Sequence, residues 1–430
     1  MSELQIWAAV LIFVGTYVVI AFARVPGLYL DRPGAALVGA VLMMACGVLS
    51  FDDAWNAIDA RTIVLLLGMM ILNVLLEESG FFELAAARVL GRAHSPRQLL
   101  TGLVLLSGIL SALFLNDTVC LMLTGPVLAV LRRTGLPAGP FLIALAMSAN
   151  IGSVMTVVGN PQNMLIGNYS GWSYTHFFLW MAPVGFVSLA VLLLILFWFY
   201  AAKMKPAAEV DVTASLEGTP SLVAPRVDQP LLVKSLLVLV GVVVGFVVLG
   251  DLPLVAIAGA ALLLVISKRS PSEVLSQVHW VLLAFFAGLF IVVHALERTG
   301  LVADAARAVQ PFYGDTLSTQ IPVFSAVTVV ASNLVSNVPF VVLARGIVPE
   351  LIEPSLMWLV LAMASTLAGN LTIPGSVATL IVLETARKHA GERDAVGFFE
   401  FLKVGIPVTI ITTTLGALLL AAEHWLVSNW

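Results

Sequence analysis

Charged residues are scarce in this 430-residue chain: Asp, Glu, Lys and Arg make up 11% of it, whereas hydrophobic residues make up 60%. A soluble domain carries about 25% charged residues, so the composition excludes an ordinary soluble globular protein. Cysteine is scarcer still, and the two cysteines, Cys46 and Cys120, lie in separate apolar stretches. They imply neither a disulfide framework nor a metal site. The composition predicts an all-α polytopic membrane protein.

Motifs for catalysis and for metal binding are missing as well. The sequence contains no His-Glu-x-x-His and no nucleophile motif, and we expect His176, His279 and His294 to be ordinary helix-end or packing residues. We therefore expect no enzyme activity, no metal, no cofactor and no nucleic-acid partner. The first apolar run, 7–23, follows Glu3 rather than a basic segment, which predicts a retained helix rather than a signal peptide.

The long apolar runs that are present predict ten transmembrane helices. A helix needs about 20 mainly apolar residues to cross a bilayer, and Pro or Gly marks the ends of most of these runs. The predicted spans are 4–22, 34–50, 61–77, 139–169, 179–202, 231–250, 253–267, 279–296, 356–384 and 403–422.

Two further apolar segments do not fit as simple spans. Segment 99–131 has 33 residues with Asp117 as its only charge, which is too long for one crossing and too short for two. Segment 316–344 has 29 uncharged residues with Ser and Asn at its turn. We predict that each is a re-entrant hairpin that enters and leaves by one face. Its non-helical tip must then be buried in protein or line a cavity.

The positive charges support this layout. With the N-terminus outside, seventeen Lys and Arg residues lie inside the cell, and four, Arg61, Arg298, Arg307 and Arg345, lie outside. This bias follows the positive-inside rule, and it would collapse if either hairpin crossed completely. The sequence therefore predicts a multi-pass protein of the cell inner (plasma) membrane.

The two halves of the chain share sequence at an offset of about 220 positions. Gly68 matches Gly288, and Glu77 matches Glu297, a symmetric pair for which we expect a structural, interfacial role. Each half holds five spans and one hairpin, so the odd number of spans turns the second copy upside down. We predict two inverted repeats, 1–202 and 231–430, joined by a cytoplasmic linker at 203–230. Such repeats are typical of secondary transporters.

Polar residues are concentrated at the hairpin tips and at two predicted helix breaks, 159–163 and 374–376, where Gly and Pro disfavour a helix at mid-membrane. If these four places meet, helix N-termini and freed carbonyl groups can bind a solute there. The predicted substrate-binding residues are Asn116, Thr118, Asn150, Asn160, Asn163, Asn337, Thr366, Asn370 and Ser376. The alternative is that these side chains only hold helices together.

Asp117 is the only charge in the first hairpin, and the second hairpin has Asn337 at the matching position. A carboxylate at membrane depth is costly and usually functional. We predict that Asp117 carries the coupling proton. The alternative is a structural carboxylate that caps the N-terminus of a hairpin helix, where Asp is favoured.

Four short motifs of the sequence resemble motifs of the ion transporter superfamily. This superfamily includes the ArsB arsenite permeases, NhaD-type sodium/proton antiporters, and citrate and dicarboxylate carriers. The four motifs are Leu-Asn-Asp-Thr-Val-Cys at 115–120, Ser-Ala-Asn-Ile-Gly-Ser at 148–153, Gly-Asn-Pro-Gln-Asn at 159–163 and Ser-Asn-Val-Pro at 336–339. The first and third are most similar to plant-type silicic acid and arsenite efflux transporters. The resemblance covers nearly the whole chain, and it implies inverted repeats with hairpins and proton-coupled efflux. The Ser-Asn-Thr signature of the dicarboxylate carriers is absent, which argues against sodium-coupled dicarboxylate uptake.

The leading hypothesis is a secondary active transporter for proton-coupled efflux of a small oxyacid such as silicic acid or arsenite. An uncharged hydroxylated solute needs Asn and Thr partners rather than an Arg clamp, and no Arg or Lys lies near the predicted midplane. The alternatives are a citrate or other anion carrier, a sodium/proton antiporter of the same superfamily, and a channel. The expected partners are the bilayer and an inorganic or organic oxyacid, with a proton or sodium as coupling ion. A homodimer is an alternative to a monomer.

Overall fold

A computed structural model describes residues 1–22, 30–204, 227–390 and 396–429. These residues form helices and contain no strand, so the all-α prediction is confirmed. The first group of helices is α1 (Glu3–Phe22), α2 (Arg32–Ala45), α3 (Phe51–Ala57), α4 (Ala60–Glu78), α5 (Phe81–Leu90), α6 (Pro96–Leu113), α7 (Asn116–Thr134), α8 (Ala138–Ser153), α9 (Pro161–Ser170) and α10 (Tyr174–Met204). The second group is α11 (Gln229–Val248), α12 (Leu252–Ser267), α13 (Pro271–Ser276), α14 (Trp280–Glu297), α15 (Leu301–Tyr313), α16 (Leu317–Val335), α17 (Asn337–Ala344), α18 (Pro354–Ala368), α19 (Val377–Ala390) and α20 (Phe398–Ser428).

Eight of the described helices, α1, α4, α6, α10, α11, α14, α16 and α20, are long and apolar enough to cross a membrane. Four shorter apolar helices, α2, α8, α12 and α18, accompany them. The chain is therefore a multi-pass membrane protein. Every predicted span contains a helix, but α2 ends at Ala45 rather than at residue 50. It ends there because Gly47 has a φ of +65°, a left-handed conformation that terminates a helix.

Two pairs of helices, each with one helix from each half of the chain, pack at equivalent places. A Cβ atom added to Gly68 of α4 would lie 2.7 Å from the backbone of Ala256 in α12. A Cβ atom added to Gly288 of α14 would lie 2.8 Å from the backbone of Ala36 in α2. Each glycine thus allows two backbones to touch, and Gly68 and Gly288 are the residues that the sequence offset pairs.

Each hairpin segment folds into two helices with a short, non-helical tip. In the first, Phe114 and Leu115 separate α6 from α7, and both are buried. The ring of Phe114 packs edge-on against Phe81 and Phe82. In the second, Ser336 separates α16 from α17 with a φ of +77°, which is uncommon for a residue other than glycine.

Ion pairs mark two opposite ends of the helix bundle, because α4 runs from Arg61 at one end to Glu78 at the other. Arg61 pairs with Asp251 at 3.1 Å, whereas Glu78 pairs with Arg269 at 3.3 Å. Arg61 and Arg269, which the charge pattern predicts on opposite sides of the membrane, therefore lie at opposite ends of the bundle.

Two further ion pairs lie at the Arg61 end. Arg345 contacts Glu297 there, so the chain between them, which includes the second hairpin, starts and finishes at one end. Arg298 pairs with Asp53 at 2.7 Å. Hydrogen bonds from Ser50, together with Arg298, lower the pKa of Asp53 to about 2. The predicted linker, 203–230, lies largely outside the described residues.

Candidate functional site

The first helix break lies between α8 and α9. α8 ends at Ser153, and Asn160 caps α9 by accepting the backbone N–H of Asn163 at 2.8 Å. The chain folds back tightly, since a Cβ atom on Gly159 would lie 2.5 Å from the carbonyl oxygen of Ser153. Asn163 donates its amide to the carbonyl groups of Ser153 and Thr156, at 3.0 Å each. These bonds satisfy carbonyl groups that the end of α8 leaves free.

The second break lies between α18 and α19. A short 3₁₀ turn, Ile373–Gly375, follows the end of α18. Gly405 of α20 allows close packing here, because a Cβ atom on it would lie 2.5 Å from the carbonyl oxygen of Asn370. Each half of the chain therefore contains an interrupted helix near its predicted position.

Each hairpin tip contacts the break of its own half. The backbone N–H of Asn116 donates to the carbonyl of Gly159 at 3.0 Å. In the second half, Asn333 donates to the carbonyl of Ala368 at 2.9 Å and accepts from Thr372 at 2.9 Å. Both tips are thus supported by protein, as a non-helical backbone in a membrane requires.

Asn150 links the two halves. Its side-chain oxygen accepts from the amide of Asn116 at 3.1 Å and from the hydroxyl of Ser376 at 2.9 Å. Its side-chain nitrogen donates to the oxygen of Asn370 at 3.2 Å. All four residues are buried. One side chain of α8 therefore joins the first hairpin tip to both ends of the second break.

A second group of hydrogen bonds surrounds Thr366. The side-chain amides of Asn160 and Gln162 both donate to the hydroxyl of Thr366, at 3.2 Å and 3.4 Å. That hydroxyl donates in turn to the side-chain oxygen of Asn163 at 3.4 Å. Asn160 also donates to the hydroxyl of Ser153 at 2.8 Å. Ser153 and Gln162 were not in the predicted site, although both belong to the two polar phrases, 148–153 and 159–163, that pointed to it.

The structure thus brings together seven of the nine predicted substrate-binding residues: Asn116, Asn150, Asn160, Asn163, Thr366, Asn370 and Ser376. Thr118 is half-buried in the first turn of α7, and its side chain has no hydrogen bond to another described residue. Asn337 begins α17 and does not join either group of bonds within the described chain.

Asp117 is half-buried at the second position of α7. Leu115 occupies the N-cap position of that helix and provides no side-chain hydrogen bond. Asp117 therefore does not cap α7 in the hydrogen-bonded manner of the alternative interpretation. A carboxylate in the first turn still interacts favourably with the positive end of the helix dipole.

Several polar atoms at the site have no partner among the described residues. They include the side-chain oxygen of Asn116 and the side-chain nitrogen of Asn370. The side-chain oxygen of Asn337, at the second hairpin tip, is also without a partner. A buried polar group without a partner costs about 1–3 kcal/mol. The buried network around Asn150 therefore contains one unpaired acceptor, on Asn116, and one unpaired donor, on Asn370. The groups that form the two hydrogen-bond networks are amides and hydroxyls and carry no net charge.

Comparison with known proteins gives one family and several relatives. The family model described as citrate transporter (CitMHS) matches residues 17–368. A 46 kDa membrane protein of Mycobacterium leprae is 34% identical over 98% of this chain and 99% of its own. The silicon efflux transporter LSI3 of Oryza sativa subsp. japonica is 32% identical over 92% of this chain and 93% of its own.

A solved structure has the same fold. The crystal structure of the Alcanivorax borkumensis YdaH transporter, described as having an unusual topology, covers 99% of this chain and 98% of its own. The TM-score is 0.62 and the sequence identity is 16%, so the likeness concerns the fold alone. These matches confirm the superfamily resemblance that the motifs indicated.

Proposed function

This chain belongs to the citrate transporter (CitMHS) family, and we propose that it is a secondary active transporter for proton-coupled efflux of a small uncharged oxyacid. The main observation behind this proposal is the hydrogen bonding of Asn150, which joins the first hairpin tip to both ends of the second helix break. Residues about 220 positions apart meet there. A solute held between two halves can be released when the halves move apart.

The chemistry of the site favours an uncharged, hydroxylated solute. Each hydroxyl of silicic acid or arsenous acid both donates and accepts a hydrogen bond. The unpartnered oxygen of Asn116 can accept, and the unpartnered nitrogen of Asn370 can donate. A multiply charged anion would instead need cationic partners. The silicon efflux transporter among the relatives supports this substrate class.

Proton coupling is proposed to depend on Asp117, the only charged residue of the first hairpin. It directly follows Asn116, so its protonation would affect the residue that bonds to Asn150. The variant Asp117→Asn keeps the shape of the side chain but cannot exchange a proton. We expect it to abolish flux driven by a pH gradient while it preserves the folded protein and downhill exchange.

The control for this variant is Cys120→Ser, a buried change one turn away on α7 that removes no carboxylate. Proton flux and substrate flux are measured together in proteoliposomes. Intact proton-coupled transport by Asp117→Asn would assign the proton to another group, or the coupling to sodium.

We propose that the two halves that move are inverted repeats and that the N-terminus lies outside the plasma membrane. Support comes from the equivalent contacts at Gly68 and Gly288. The pairing of Arg345 with Glu297 adds to it, because the second hairpin then returns to its starting end. Whether one copy or a homodimer performs the cycle is decided by the mass of the purified protein in detergent.

The experiment that tests the substrate is flux into proteoliposomes across a panel of silicic acid, arsenite, citrate and sodium, with and without a pH gradient. We expect silicic acid or arsenite to be transported and citrate not to compete. Transport of citrate, or of sodium in exchange for protons, without oxyacid flux would overturn the proposal.

A further inference from the structure

Helix α17, the short arm of the second hairpin, packs on α9 and on α18. Both of those helices carry residues of the candidate site at one end, since Asn163 lies in the first turn of α9 and Thr366 in the last turn of α18. Helix α17 ends next to Arg345, at the Arg61 end of the bundle and so on the predicted outside. The short arm of the second hairpin therefore covers the site on that side.

Arg345 fastens this arm to two other helices. Its Nε donates to Oε1 of Glu297, at the end of α14, at 3.1 Å, and its Nη2 contacts the other oxygen of the same carboxylate. The guanidinium also lies 5.4 Å from the ring centre of Tyr169, in the last turn of α9. Both members of the ion pair are partly buried. A two-bonded pair between arginine and a carboxylate is the strong form of this interaction.

The other contacts of this region show which helices hold the hairpin. His294 lies 3.7 Å from the carboxylate of Glu297, but it belongs to α14 as well and so cannot tie that helix to another. The hydroxyl of Tyr17 in α1 donates to the carbonyl of Pro339 in α17 at 2.9 Å. Because α1 and α14 pack against each other, one group of helices holds α17 at both ends.

The first half of the chain lacks this arrangement. Glu77 matches Glu297 at the offset of 220 positions, but Gly125 stands at the place that matches Arg345. The first hairpin therefore cannot form the same ion pair at the matching place. The pair belongs to one end of the bundle only.

We propose that Arg345 and Glu297 form an outer lock: their ion pair holds the second hairpin over the site, and its separation exposes the site to the outside. The proposal rests on the proposed function, because a secondary transporter must open its site to each side of the membrane in turn. Arg345 is a positioning residue in this scheme, since it acts through the hairpin. The hydrogen bond of Tyr17 is a second, uncharged tie on the same arm.

The test measures how fast a thiol in the site reacts with a reagent added outside. Ser376→Cys provides the thiol in a full-length protein in which Cys46→Ser and Cys120→Ser remove the native ones. Right-side-out membrane vesicles are treated with a membrane-impermeant methanethiosulfonate. We expect slow labelling while the lock is intact, and about tenfold faster labelling when Arg345→Gln or Glu297→Gln removes the charge-assisted bonds.

Two matched variants separate the lock from a general loss of charge. Arg298→Gln breaks the neighbouring pair with Asp53, which joins the end of α14 to α3 and not to the hairpin, so it should label like the parent. Arg345→Glu combined with Glu297→Arg restores the pair in reverse and should restore slow labelling. Parental labelling of the neutral variants, fast labelling of the reversed pair, or acceleration by Arg298→Gln would overturn the proposal.

Tyr17→Phe tests the same arm without any change of charge, and it removes a single hydroxyl from a folded protein. It should also speed the labelling, and a parental rate would contradict the role of the hairpin as the cover. The assay needs neither substrate nor a pH gradient. Faster labelling of the variants in a protein without oxyacid flux would therefore contradict the proposed function and support the lock, whereas oxyacid flux with unchanged labelling would contradict the lock alone.

Discussion

Replacing Asn150 with leucine removes the side chain that joins the two halves. The change leaves three buried partners without their hydrogen bonds: the amide of Asn116, the hydroxyl of Ser376 and the oxygen of Asn370. A typical bond contributes about 1 kcal/mol net, so we expect a loss of roughly 3 kcal/mol in the free energy of unfolding. We also expect transport to be lost, because the tip of the first hairpin is no longer positioned.

The matched control is Asn73→Leu on α4. Asn73 is 2% exposed, and neither its oxygen nor its nitrogen has a partner among the described residues. The same substitution therefore removes an unpaired amide, and we expect a gain of about 1 kcal/mol. Thermal unfolding of both variants in detergent measures the contrast directly. A neutral Asn150 variant, or equal shifts of the melting temperature in both, would refute the reasoning about the Asn150 network.

Three further predictions concern the site, the topology and one exposed ion pair. Asn160→Ala and Asn370→Ala should each weaken the apparent affinity for substrate in flux assays without unfolding the protein; unchanged affinity in both would place the site elsewhere. Cysteines at the exposed positions Arg97 and Arg133 should react with an impermeant reagent from the same, cytoplasmic side, and labelling from opposite sides would remove the re-entrant hairpin. Asp53 has a pKa lowered to about 2 in the folded protein. Its stabilisation is therefore present above about pH 4 and should be lost as pH falls towards 2; Asp53→Asn should show no such loss in acid melts.

The sequence was sufficient for much of the fold because the bilayer restricts the possible structures. Long apolar runs in a membrane must be helices, and Gly159 with Pro161 located an interruption of the helix in advance. What could not be predicted is where α8 ends. It stops at Ser153, six residues before Gly159, because the intervening chain is held by Asn163 and by the tip of the first hairpin. Those are contacts between distant segments.

The candidate site was predictable in composition but not in arrangement. Asn150 and Asn370 were named because they are amides near breaks in apolar helices, and a polar residue at membrane depth is unusual. Their direct bond depends on how the two halves pack, which periodicity does not encode. Gln162 was missed because its contact within the site is a hydrogen bond to Thr366, which is 204 positions away in the sequence. Thr118 was included by its motif, yet its side chain forms no hydrogen bond within the described residues.

The central claim is that a proton gradient moves an oxyacid through the site around Asn150. The most direct measurement is the accumulation of arsenite in proteoliposomes whose interior is more acidic than the medium. Antiport predicts that arsenite rises above its external concentration as protons leave, and that a protonophore abolishes this rise. In the Asn150→Leu variant, arsenite should not rise above its external concentration, with or without the protonophore. Arsenite that only equilibrates to the external concentration, with or without the gradient, would contradict coupled transport and indicate a channel.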